Sequence, residues 1–102
     1  MKIEMETKKV LYHTLDSFEW DRVVNEFYKP TSKWDFVSNH EANNDSDYSF
    51  DVDGKIGDYE EEELEKFKKG DNNGNRMTQT LLDDLCRQGL ISKGVYLIEV
   101  CW

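Results

Sequence analysis

Carboxylates dominate the chemistry this chain can offer. Between Glu41 and Glu65, eleven acidic residues face one base, Lys55, for a local charge of −10. The rest of the 102 residues holds eleven acids and twelve bases, so the net charge of −9 sits in one quarter of the chain. Such a run can keep a loop and a helix face solvated. It can also present a negative surface to a basic partner. Self-repulsion in a concentrated cluster costs stability, and solubility alone does not require concentrating it. The candidate partner-binding residues are therefore Asp45, Asp47, Asp51, Asp53, Asp58, Glu60, Glu61, Glu62, Glu63 and Glu65. Spread over a hairpin and a helix N-terminus, they approximate the charge spacing of duplex DNA, one per roughly 1.7 Å of axis. Tyr48 and Tyr59 add aromatic contact area beside them.

Other reactive groups are few. His13 lies in a strand pattern and reads as a packed or edge histidine; His40 stands beside Glu41 in a polar loop. Neither has a nucleophile or an oxyanion site at a recognisable spacing. Cys86 and Cys101 have apolar neighbours and read as reduced, largely buried thiols. Two histidines and two cysteines at these spacings make no zinc site. No catalytic residue, metal ligand or cofactor is assigned, and the chain is read as non-enzymatic. Lys66, Lys68 and Lys69 are too few, and too close to the acids, for direct nucleic-acid binding.

A second use of the carboxylates is calcium. Ser49 to Glu60, SFDVDGKIGDYE, resembles the EF-hand loop over twelve residues. Asp51 and Asp53 take its third and fifth positions, Gly54 the sixth, Ile56 the eighth and Glu60 the twelfth. That geometry needs oxygens on alternate residues, a glycine for the sharp turn and a final bidentate carboxylate. Ser49 departs from the Asp of the first position. The residues before the loop alternate like a strand, whereas an EF-hand needs an entering helix.

The elements that must carry these groups follow from periodicity and end signals. Lys9–Leu15 reads as a strand. Asp16 and Glu19 have capping-box spacing before Trp20, Val23, Val24 and Phe27, which share one helical face; Pro30 stops that helix. Lys33–Ser38 reads as a second strand, residues 39–46 as a polar loop, and Asp47–Val52 as a half-buried alternating strand. Asp53-Gly54 is a hairpin signal, with Lys55 and Ile56 beginning the return. Asp58, with Glu61 three residues on, opens an acidic helix that ends on Lys66, Lys68, Lys69 and Gly70, an order that complements the helix dipole. After the turn at residues 71–75, Met77, Leu81, Leu82, Leu85 and Cys86 build a third helix closed by Gly89. Val95–Val100, apolar on both faces apart from Glu99, reads as a central strand covered at least in part on both sides. The order β-α-β-β-α-α-β predicts one α+β domain over residues 1–102: a small, mainly antiparallel sheet with about three helices packed on it.

Length and composition agree with one core strengthened by thirteen aromatic residues. No stretch approaches the roughly 18–20 apolar residues of a membrane span. The start, MKIEMETKK, lacks the apolar run of a signal peptide, so a cytoplasmic protein is expected. The closing stretch, TLLDDLCRQGLISKGVYLIEVCW, resembles small bacteriophage proteins, and the acidic composition is similar to phage inhibitors of host defence: anti-restriction DNA mimics and anti-CRISPR proteins. The resemblance implies action in the host cell cytoplasm on a basic, nucleic-acid-binding surface of a larger protein. The alternatives are a calcium-binding domain using residues 49–60 and a structural or assembly protein whose contacts run through a sheet edge and Trp102.

Overall fold

A computed structural model describes residues 8–9, 13–30, 33–36, 47–70 and 77–100. Asp45, His40, Cys101, Trp102, the loop at 39–46 and the turn at 71–75 lie outside them. The elements are β1 (Lys8–Lys9), β2 (His13–Asp16), α1 (Ser17–Phe27), β3 (Asp47–Val52), α2 (Asp58–Lys69), α3 (Thr78–Arg87) and β4 (Gly94–Glu99). The fold is α+β.

The sheet order is β1-β2-β4-β3. β1 with β2 and β3 with β4 pair antiparallel, while β2 and β4 run parallel, so the sheet is mixed. The expected strand at Lys9–Leu15 is divided: Lys9 pairs back on His13, and β2 continues to Asp16. The register sorts side chains by face. His13, Leu15, Tyr48, Phe50, Val52, Tyr96 and Ile98 share the inner face, on which α1 and α3 pack. Thr14, Asp16, Asp47, Ser49, Asp51, Val95, Leu97 and Glu99 share the outer face. Alternate strand residues point to opposite faces, and the burial pattern of β4 follows that rule. β4 is central, as expected, and its two faces are covered unequally: Tyr96 and Ile98 are buried and Leu97, on the outer face, is half-buried, whereas Val95 and Glu99 are exposed.

Local signals set the helix ends. The Asp16 side chain accepts from Glu19 N at 2.8 Å and caps α1. The helix ends at Phe27, with Lys29 at φ +49° before Pro30. α2 begins at Asp58, as expected, but its N-cap is Gly57, and the Glu60 carboxylate, rather than that of Glu61, folds back against the cap. α2 closes on Gly70 in the left-handed conformation. α3 ends in a Schellman turn, in which Gly89 N donates to Cys86 O and Leu90 N to Leu85 O, each at 2.9 Å. Leu85 and Leu90, the residues that turn brings together, are both in the core.

Two expected elements differ. Residues 33–36 form no strand, although Trp34 and Phe36 are buried as a strand reading would have them. The polar side chains of α1 bind this backbone instead. Asn25 Oδ1 accepts from Trp34 N at 2.6 Å, Asn25 Nδ2 donates to Trp34 O at 3.0 Å, and Asp21 Oδ1 accepts from Phe36 N at 2.8 Å. Nor do Lys55 and Ile56 return as a strand; they lead straight into α2. The turn before them is held from α3: Asp83 Oδ1 accepts from Asp53 N and Gly54 N at 3.1 and 3.3 Å. Gly54 has φ +77°, and a Cβ there would lie 3.2 Å from Cys86 Sγ, so both conformation and space call for glycine.

Candidate functional site

Helical spacing does for α2 what the sequence pattern promised. Asp58, Glu61, Glu62 and Glu65 recur at i, i+3, i+4 and i+7, which gathers them on one face. All four are exposed, and the buried pair Leu64 and Phe67 points away from them. Glu60 is exposed at the helix start, and Glu63 is half-buried. Basic residues temper part of this stripe. Lys66 Nζ lies 3.6 Å from both Glu62 and Glu63. Arg87 NH1 lies 3.0 Å from Glu61. Exposed pairs of this kind are worth roughly 0–1 kcal/mol.

The remaining candidates are dispersed. Asp47 and Asp51 are exposed on the outer face of the sheet, whereas α2 packs against α3 in the helical layer. The described candidates are therefore divided between two faces. Asp53 Oδ1 accepts from Lys55 N at 2.9 Å within the turn. Two carboxylates outside the expected set, Asp16 and Glu99, join Asp47: Glu99 is the register partner of Asp16 on one side and of Asp47 on the other. Three acids thus stand in a row across β2, β4 and β3. Like charges directly opposite on neighbouring strands oppose pairing by about 0.2–1 kcal/mol each. Sequence could not place this row, because it depends on strand order.

The calcium reading loses its geometry. Ser49 and Asp51 belong to a strand, no helix enters the loop, and Asp53 turns back onto its own backbone. Among the described residues, no group of three or more histidine, cysteine or acidic side chains is arranged to hold a metal ion.

The interior titratable groups are engaged in the fold. Asp84, fully buried, accepts from Tyr28 Oη at 2.6 Å, Gln88 Nε2 at 2.7 Å and Arg87 NH2 at 2.6 Å. Burial, then the Asp84 hydrogen bond, pushes the Tyr28 phenol far above its ordinary range. Asp83 accepts from Gln79 as well as from the 53–54 turn. Burial also raises the pKa of the free Cys86 thiol, which favours its protonated form. His13 stacks on Tyr96 with ring centres 4.6 Å apart, the packed histidine the sequence suggested.

No family profile matches the chain, and no curated protein or solved structure matches it. The reading of this surface rests on its own physics.

Proposed function

We propose that the protein is a non-enzymatic binding protein whose acidic α2 face occupies a basic surface of a larger protein. The observation that carries this reading is the exposed stripe of Asp58, Glu61, Glu62 and Glu65 on one helix. Like charges at i, i+3 and i+4 weaken a helix by roughly 0.2–0.5 kcal/mol per pair; the helix dipole, Lys66 and Arg87 offset part of this repulsion, and a basic partner would relieve the rest. A basic surface on this scale is characteristic of nucleic-acid-binding proteins. The chain then acts as an inhibitor or nucleic-acid mimic, of the kind phages direct against restriction and CRISPR systems, within the host cytoplasm. No helix among the described residues is long and apolar enough to cross a membrane, which fits a partner met in solution.

The test combines Asp58→Asn, Glu62→Lys and Glu65→Lys. Asp58 is neutralised rather than reversed because a lysine in the first turn would oppose the helix dipole. Glu61 is left alone because it pairs with Arg87. Parent and variant serve as bait in the same host lysate, and association rates with the captured protein are measured at low and high salt. The Debye length falls from about 10 Å at 0.1 M to about 3 Å at 1 M, so the parent should associate more slowly as salt rises. The variant should bind much more weakly, and duplex DNA should compete with the parent. Reversing Glu4 and Glu6, outside the acidic run, should change little. Equal binding by parent and variant, indifferent to salt, would sink the reading and leave the stripe as a solubility device.

A further inference from the structure

Residues 33–36 belong to the core by their side chains but to no sheet by their backbone. Trp34 and Phe36 are buried, and Phe36 meets Tyr48 and Phe50 edge to face. The backbone is held instead by side chains of the preceding helix, Asn25 at Trp34 and Asp21 at Phe36. Two features of this attachment are costly, and lifting the segment relieves both. The Trp34 indole N–H is buried with no hydrogen-bond acceptor, so the closed form takes it from water and offers nothing in return. The Asp21 carboxylate that fastens Phe36 N at 2.8 Å is itself drawn out of water. The chain also has a place to turn. It leaves α1 through Lys29 at φ +49°, the left-handed conformation that glycine usually takes at a helix end, just before Pro30. Hinges are residues of this kind, at the end of an element and able to absorb a change in backbone angle.

We propose that residues 33–36 are a pH-sensitive strap, closed on α1 while Asp21 is protonated and released about Lys29–Pro30 to a small open population as Asp21 ionises. Burial of Trp34 and Phe36 keeps the closed form dominant at every pH, so the strap sets how often this aromatic pair meets solvent. The sign follows from the surroundings of Asp21. Burial lifts it from 3.8 to about 6; the Phe36 N–H and Lys33 oppose the rise, and Asp35 and Asp16 add to it. Arg22 and Glu26 stand on the same side of α1, but Arg22 is paired with Glu19 at 2.7 Å. In the open form the carboxyl returns to its ordinary value. Opening is therefore rarest in acid, grows as pH rises from about 4 to 6, and levels off above. Between pH 4 and 7 the two values set a limit of about fifty-fold, which partial exposure of Asp21 reduces to about five- to twenty-fold.

Hydrogen exchange of the whole chain, followed by NMR from about pH 4 to 7 and corrected for intrinsic rates, tests the strap. The Trp34 and Phe36 amides and the Trp34 indole N–H should be protected at least about ten-fold less than the amide of Leu85, inside α3. Their exchange should respond little to dilute urea, because a local opening exposes little surface. It should quicken about five- to twenty-fold over the pH range. Asp21→Asn keeps an acceptor for Phe36 N and should remove that pH dependence. Asn25→Ala, which weakens the clasp without touching the titrating group, should raise opening at every pH and leave the dependence in place. Protection and urea response equal to those of Leu85 would mean that the segment opens only when the whole fold does, and would overturn the strap. Persistence of the parent's pH dependence in Asp21→Asn would overturn it equally. No partner enters the experiment, so its outcome is independent of the α2 reading.

Discussion

Asp21 is asked to do two things that conflict. Its carboxylate fastens the 33–36 segment through the Phe36 N–H, yet the position that allows this takes it out of water. Desolvation outweighs the hydrogen bond, and the group rises from 3.8 to about 6. The sign of the consequence is fixed by linkage. The folded state holds this proton more tightly than the unfolded chain, so the stabilisation is complete below the unfolded value and is lost as pH rises through about 6. The full shift corresponds to roughly 3 kcal/mol, and because Asp21 is only half-buried, screening reduces this to on the order of 1–2 kcal/mol. Asp21→Asn keeps the acceptor and removes the charge. The variant is expected to be about 1 kcal/mol more stable than the parent at pH 7, with the advantage vanishing near pH 4. Urea denaturation of both proteins across that range checks it, and a difference that does not change with pH would refute the account.

At the scale of elements, what was legible in the sequence was local. Asp16 with Glu19, the apolar face of Trp20, Val23 and Val24, the basic end and Gly70 of α2, and the alternation of Asp47–Val52 each contain their own cause within a few residues. The misread segments are those whose partners lie far away. Trp34 and Phe36 are apolar enough for a strand, but no strand partner claims their backbone; Asn25 and Asp21 do, from the preceding helix. The return after Asp53-Gly54 gives way to a turn held by Asp83, thirty residues on, that leads straight into α2. The acidic stripe on α2 could be read from i, i+4 spacing, whereas the row of Asp16, Glu99 and Asp47 could not. Asn25 is the simplest test of this view. With Asn25→Ala, the segment loses both bonds to Trp34, and a buried N–H and C=O are left without partners. A loss of about 2–3 kcal/mol is expected, beyond the few tenths typical of a half-exposed helix position. Thermal unfolding, with Trp34 fluorescence reporting the segment, measures it. A loss under about 0.5 kcal/mol would mean that packing of Trp34 and Phe36 places the segment unaided.

For the molecule as a whole, the distribution of charge matters more than its total. A net charge of −9 on 102 residues opposes compaction, and ten of the described acids lie on α2 or across the outer sheet face, only some of them answered by Lys66 and Arg87. Screening should therefore stabilise the fold. Melting temperature is expected to rise by several degrees as sodium chloride increases from about 0.02 to 0.5 M, over which the Debye length falls from about 20 to 4 Å. A chloride salt is preferred because sulfate would also strengthen apolar burial. The same rise would follow from net charge alone, so the decisive comparison uses two variants of equal charge. Asp58→Asn, Glu62→Gln and Glu65→Gln remove three negative charges from the stripe and bring the net charge from −9 to −6. Glu4→Gln, Glu6→Gln and Glu26→Gln remove the same number elsewhere. If local repulsion on α2 is the source, the first variant melts higher than the parent at low salt and its salt response flattens, while the second stays near the parent. Glu62 gives up its pair with Lys66 in the first variant, but an exposed i, i+4 pair of that kind is worth only about 0.3–0.5 kcal/mol. Identical salt responses in the two variants would assign the effect to total charge, and the stripe would then hold no repulsion for a basic partner to relieve.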